Sequence, residues 1–133
     1  MRYTIPTYII LLSAILLSSG CSTINCDIGS IAGTNLQDLK RARSEGISRI
    51  SEVSLSEAFD DTSDILREKG LVIYQSSKKA GYIVFMGLAR QNNTTRIGVF
   101  FESLDANKTK ITISSLSSSA LKQAESILFT SLR

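Results

Sequence analysis

Residues 82–104 read YIVFMGLARQNNTTRIGVFFESL, and this stretch decides the fold. Two segments rich in β-branched and aromatic residues flank the polar residues Gln91 to Thr94, an arrangement typical of a β-hairpin. A two-residue turn at Asn92 and Asn93 suits this loop, because asparagine tolerates positive φ. The sequence therefore predicts two antiparallel strands joined by a tight turn.

The register set by this turn places Gly87 opposite Gly98 and Phe85 opposite Phe100. Because side chains alternate along a strand, the register also sorts them onto two faces of the sheet. One face is apolar throughout, and we expect it to form the core. Its members are Tyr82, Val84, Met86, Leu88, Ile97, Val99 and Phe101.

A second hairpin follows the first. A three-residue loop of Asp105, Ala106 and Asn107 predicts that Glu102 pairs with Lys110 across the strands. Ile111 and Ile113 then join the core face. In the strand that precedes both hairpins, either Leu71 and Ile73 or Val72 and Tyr74 point inward. The four predicted strands span residues 71–76, 82–90, 95–104 and 109–115.

Helices are predicted on both sides of these strands. Ser54 and Glu57 form a capping box, and apolar residues at helical spacing predict a helix over 54–69. The serines at 117–119 begin a last helix with one apolar face. We therefore expect residues 53–133 to form an α+β domain of order α-β-β-β-β-α. It has two layers, with both helices on one face of a four-stranded antiparallel meander.

The opposite sheet face is also apolar, which is unusual for a face left to solvent. We consider it a candidate interaction face, and three occupants remain open. Residues 35–52 could fold over it, an envelope protein or a second copy could bind it, or a lipid or apolar ligand could fill a shallow pocket beside its glycines. The residues of this face are Ile83, Phe85, Gly87, Gly98 and Phe100.

The N-terminal residues 1–20 have the parts of a signal peptide. Arg2 is their only charge, and an apolar run from Tyr8 to Leu17 follows. This run is shorter than the roughly 20 residues that a transmembrane helix needs. We predict that the leader is removed rather than kept as an anchor.

Leu17-Ser18-Ser19-Gly20-Cys21 resembles the lipobox of bacterial lipoproteins. The resemblance implies cleavage between Gly20 and Cys21 and acylation, such as palmitoylation, of Cys21. Two or more acyl chains hold a protein stably at a bilayer. The resemblance also implies that Ser22, next to the lipidated cysteine, directs the protein to the periplasmic side of the outer membrane in a Gram-negative cell.

Residues 21–34 show no periodicity and are predicted to be the lipidated cysteine and a flexible tether. Cys26 in this tether is expected to be a passive free thiol or to pair between chains. Residues 35–52 are predicted to contain a short basic helix with Asn35 as its N-cap. Its cations either approach anionic headgroups or simply face solvent.

The composition excludes several chemistries. The 133 residues include no histidine, no tryptophan and two cysteines, so we expect no metal site, no cofactor and no catalytic site. A net charge of +3 is too weak and scattered to predict nucleic-acid binding.

Residues 50–133 resemble a group of small bacterial lipoproteins of unknown function. The resemblance is carried by the helix that runs into Lys69-Gly70-Leu71, by the strand Lys110 to Ile113 and by the closing helix. We expect a membrane-anchored envelope lipoprotein that is not an enzyme and has a structural or protein-interaction role. The alternative is a small envelope module that binds a lipid or apolar ligand on the sheet face.

Overall fold

The computed structural model describes residues 35–90 and 95–132 of the chain. Three α-helices, one 3-10 helix and five strands are present in this part. In chain order the elements are α1 (Leu36–Arg41), a 3-10 helix (Ala42–Glu45), β1 (Ile47–Ser51), α2 (Leu55–Glu68), β2 (Val72–Ser77), β3 (Tyr82–Met86), β4 (Ile97–Asp105), β5 (Lys108–Ser115) and α3 (Ser118–Ser131).

The strands form one antiparallel sheet of order β1-β5-β4-β3-β2. The α+β class and the meander from β2 to β5 agree with the sequence prediction, but the sheet has five strands rather than four. The short helix predicted in residues 35–52 is α1, with Asn35 as its N-cap, and it joins the two helices predicted for the domain. Residues 35–52 contain a strand as well as a helix, and Ile47 pairs with Ile113 while Ser51 pairs with Thr109. The described fold therefore includes residues 35–52, and β1 lies beside β5.

Both long helices begin at the predicted serine caps. The Ser54 side chain accepts a hydrogen bond from the backbone N–H of Glu57 at 3.3 Å. Ser117 accepts one from the N–H of Ala120, also at 3.3 Å. These bonds satisfy amides that have no partner within the first helical turn. The predictions of α2 and α3 are confirmed.

The main core lies between the sheet and the helices α2 and α3. We call this side of the sheet the major face. The side chains of β4 and β5 that were predicted to face the core do so. Of the two alternatives at the start of β2, Leu71 and Ile73 face the core, and Val72 and Tyr74 do not. The buried members of this core are Ala58, Leu66, Leu71, Ile83, Phe85, Leu88, Ile97, Val99, Phe101, Ile111, Ile113, Ala120, Ala124 and Leu128.

The register of β3 against β4 differs from the prediction. Phe85 lies opposite Ile97 rather than Phe100, a shift of three residues. The physical reason is the length of the connection, since β3 ends at Met86 and residues 87–96 lead to β4. Gly87 adopts a φ of 98° and turns the chain out of the strand before the predicted turn is reached. The expected turn at residues 91–94 lies outside the described residues.

A shift by an odd number of residues moves every side chain of β3 to the other face. Ile83 and Phe85 are therefore fully buried beneath α2 and α3. Tyr82 and Val84, predicted in the main core, lie on the opposite side of the sheet with Phe100. The predicted interaction face of Ile83, Phe85, Gly87, Gly98 and Phe100 does not exist as one surface, and that prediction was wrong.

The register of β4 against β5 is the predicted one. Phe101 pairs with Ile111, and Glu102 pairs with Lys110. The turn differs from the predicted three-residue loop, because Asp105 pairs with Lys108 and only Ala106 and Asn107 lie between them. A bulge between Ser103 and Asp105 restores the predicted pairing along the strands.

Candidate functional site

The side of the sheet opposite α2 and α3, which we call the minor face, is covered by α1. Leu39 is fully buried against Tyr82, Val84 and Phe100, and Leu36 packs at the edge of the same cluster. The chain's own N-terminal segment thus occupies the second apolar face. This was one of the three occupants that the sequence left open.

No pocket remains beside Gly98 on this face. A Cβ atom placed on Gly98 would lie 2.7 Å from Cε2 of Phe100, so the phenylalanine ring already fills the space next to the glycine. Gly87 lies outside the strand and does not contribute to the cluster. The predicted pocket between two glycines and two phenylalanines is therefore absent.

Hydrogen bonds fasten the N-terminal segment to β5. The Ser114 hydroxyl donates to the backbone oxygen of Leu39 at 2.8 Å, and this bond is buried. The hydroxyls of Ser48 and Thr112 lie 2.8 Å apart on neighbouring strands. These hydroxyl groups therefore hold two segments of the fold together.

Gly46 lets the chain approach β5 closely between the 3-10 helix and β1. A Cβ at this position would lie 2.5 Å from the backbone oxygen of Ile113. Any other residue would collide with that backbone atom. Gly46 is thus required by close packing against the sheet.

Cationic side chains lie over the aromatic rings of the minor face. The Lys40 Nζ is 5.9 Å from the centre of the Tyr82 ring, and the Arg43 Cζ is 4.8 Å from the centre of the Phe100 ring. Arg43 also lies 3.9 Å from a carboxylate oxygen of Glu102. The negative ring faces attract these cations and hold them above the cluster.

The sequence indicated that residues 35–52 are basic, but it did not indicate which aromatic rings their cations contact. Tyr82 was assigned to the other face, and Phe100 was expected to neighbour Phe85. The cation–ring contacts could be foreseen only with the correct register of β3. The positions of Lys40 and Arg43 are the feature that sequence reasoning missed.

The acidic residues lie on the other side of the molecule, along α2. Asp60, Asp61 and Asp64 are exposed. Lys78 forms an ion pair with Asp60 at 2.7 Å, and Arg67 forms one with Asp64 at 3.1 Å. A search of residues 35–90 and 95–132 finds no group of three side chains placed to hold a metal ion.

A groove of about 510 Å³ runs beside α2. Val53, Ile65 and Leu132 supply its apolar lining, and carboxylates border it. It is open to solvent and has no buried polar group pointing into it, since every buried side-chain polar atom in the described residues has a partner. The acidic border residues are Glu57, Asp61, Asp64 and Glu68.

Large apolar side chains are also exposed on the edge strands. Ile50 in β1 is 59% exposed, and Val72 and Tyr74 in β2 are 51% and 46% exposed. The Arg96 guanidinium stacks 4.3 Å from the centre of the Tyr74 ring and donates to the sulfur of Met86. Both outer strands therefore present apolar surface beside their free backbone edges.

The predicted lipidation and cleavage residues, Gly20 and Cys21, lie outside the described residues, as does Cys26. A comparison with models of known protein families and a search of curated proteins find no match to this chain. Among residues 35–90 and 95–132, no helix has the length and apolar content that crossing a bilayer requires.

Proposed function

We propose that this protein is a lipid-anchored component of the bacterial cell envelope that acts by binding and not by catalysis. The observation that carries the proposal is the sequence from Leu17 to Cys21, which follows a short apolar run and places a cysteine directly after small residues. Acyl chains on Cys21 would then hold the protein at the membrane. With Ser22 after the cysteine, the outer membrane is the proposed location in a Gram-negative cell.

The arrangement of the domain supports an anchored role. The described fold begins at Asn35, which leaves 13 residues between it and Cys21. Its buried hydroxyls serve the fold, since Ser114 donates to the backbone oxygen of Leu39 and Thr109 donates to that of Val53. The bond from Ser114 attaches α1, the helix that leads back toward Cys21, to the sheet.

An interaction role has support from the edge strands. Ile50, Val72 and Tyr74 expose apolar side chains on β1 and β2, the two outer strands. An envelope protein or a second copy of the chain could contact either edge. The alternative role, binding of an apolar ligand on the sheet face, loses its basis because Leu39 and the Phe100 ring fill that face.

Metabolic labelling with a fatty acid tests the anchor. We expect the wild-type protein to incorporate label and to fractionate with membranes, and Cys21→Ala to lose the label. Cys26→Ala is the matched control, because it removes the only other thiol of the chain. It should keep full labelling.

Equal labelling of Cys21→Ala and the wild type would contradict the proposal. So would loss of label in Cys26→Ala with retention in Cys21→Ala. Mass spectrometry of the purified protein provides a second readout, since the proposal requires a mature chain that starts at an acylated Cys21.

A further inference from the structure

The two sides of the sheet carry helices of opposite charge. On the minor face, α1 and the 3-10 helix together hold three cations against two acids. On the major face, α2 holds five acids against one arginine. The cations are Lys40, Arg41 and Arg43 with the acids Asp38 and Glu45, and the α2 charges are Glu57, Asp60, Asp61, Asp64, Glu68 and Arg67.

The cations of the minor face are displayed to solvent. The Arg41 side chain is 83% exposed and pairs only at 3.7 Å with Asp38. Lys40 is exposed beside it. Arg43 is half-buried, since it rests on the Phe100 ring and lies 3.9 Å from a carboxylate oxygen of Glu102. Lys40 and Arg41 are therefore the cations that this face presents most openly to solvent.

The position of α1 in the chain brings this surface close to the proposed anchor. The N-cap Asn35 follows Cys21 by 14 residues, so even a fully extended chain would span only about 50 Å. No folded element of the described residues precedes α1. Among the described elements, α1 is therefore the one closest to Cys21 along the chain.

We propose that the minor face, with α1 outermost, lies against an anionic phospholipid surface and that α2 faces away from it. The inference rests on the membrane anchoring proposed above. Anionic headgroups attract cations within about a Debye length, roughly 8 Å at physiological salt, and repel carboxylates over the same range. The acids of α2 and the cations of α1 lie on opposite faces, so both effects favour the same orientation.

Hydrogen–deuterium exchange on the membrane-purified protein tests this orientation. The protein, in whichever anchored form it is isolated, is reconstituted into nanodiscs of phosphatidylcholine alone or with phosphatidylglycerol. We expect the amides of residues 36–51 to exchange several-fold more slowly on the anionic discs. The amides of α2 and α3 should exchange equally on both, and 0.5 M salt should remove the difference at residues 36–51.

A pair of charge-matched variants separates a local contact from a general charge effect. Lys40→Gln with Arg41→Gln removes two cations from the minor face, and we expect it to abolish the protection on anionic discs. Lys69→Gln with Lys122→Gln removes two exposed cations at α2 and α3 and should preserve it. Exchange of β5 in detergent verifies that both variants remain folded.

The orientation is refuted if residues 36–51 exchange equally on both discs or if protection appears at α2 or α3. It is also refuted if the Lys40 and Arg41 variant behaves as the wild type does. These results are interpreted separately from fatty-acid labelling, because labelling reports on Cys21 and amide exchange reports on residues 36–51. Failure of the lipid anchor and failure of the contact are thus distinguishable.

Discussion

Gly98 shows how a single missing side chain shapes the minor face. Its hydrogen faces the edge of the Phe100 ring, and the Ser114 hydroxyl lies 3.3 Å from where a Cβ would stand. The glycine therefore allows an aromatic residue two positions away on the same strand to lie flat over the sheet. That flat ring is what Leu39 and Arg43 pack on.

Gly98→Ala is expected to destabilise the protein by about 1–3 kcal/mol, because the added methyl group forces the Phe100 ring out of its position. Urea unfolding followed by circular dichroism measures the change. In a Phe100→Ala background the same substitution should cost much less, since the colliding ring is gone. An equal cost in both backgrounds would show that the ring is not the obstacle.

Among the elements, α2 and α3 owe their positions to sequence signals that act locally. Each begins at a serine whose side chain accepts a hydrogen bond from an amide three residues later. Such signals do not depend on the rest of the fold. This is why the sequence located both helices to within a residue or two.

Ser54→Ala is expected to reduce the free energy of unfolding by about 1 kcal/mol, because it leaves an amide of the first turn of α2 without its partner. Thermal and urea denaturation measure the loss. Ser56→Ala is the matched control, since Ser56 is exposed within the same helix and forms no cap. If both serines give the same small change, the cap has no role in stability.

The strands show where local signals fail. The two-residue turn between Asp105 and Lys108 would by itself give another register, and a bulge after Ser103 restores the predicted one. The β4–β5 register could be predicted because only one alternation of β5 places Ile111 and Ile113 in the core. The β3–β4 register could not, because residues 87–96 form a long connection that leaves the pairing to the core. Because β3 is apolar on both faces, its sequence pattern does not indicate whether Phe85 or Val84 faces the main core. The prediction of the candidate interaction face depended on that choice and was therefore wrong.

The strand β1 was missed for a different reason. Its sequence, Ile-Ser-Arg-Ile-Ser, is short and follows a basic helical segment, and its partner β5 lies at the far end of the domain. No pattern within 47–51 identifies that partner. From composition, residues 35–52 could be proposed as one of several occupants of the minor face. Only the three-dimensional contacts identify them as the segment that covers it.

At the scale of the whole molecule, the minor-face cluster is much smaller than the core on the major face. It joins Leu36, Leu39, Tyr82, Val84 and Phe100, whereas the larger core is built from both long helices and the sheet. Segments with few buried contacts open at lower free energy than the main core does. We infer that residues 36–51 can open while the rest stays folded.

Leu39→Ala is expected to weaken the attachment of this segment by about 2–5 kcal/mol, because it removes a fully buried side chain. Native-state hydrogen exchange should show faster exchange in residues 36–51 and little change in α3. Leu104→Ala, at a side chain that is 48% exposed, is the control and should leave both unaffected. Uniformly faster exchange in all elements would indicate that the domain opens only as one unit.

The pairing of Ile47 with Ile113 has a consequence for how the protein is made. On a ribosome, or during passage through a translocation channel, β1 emerges long before β5 exists to receive it. The first strand must wait until residues 109–113 have been released. Contacts so distant in sequence slow the acquisition of native structure. The edge of β1 and the apolar side of α1 are therefore the surfaces that a chaperone would contact on the nascent chain.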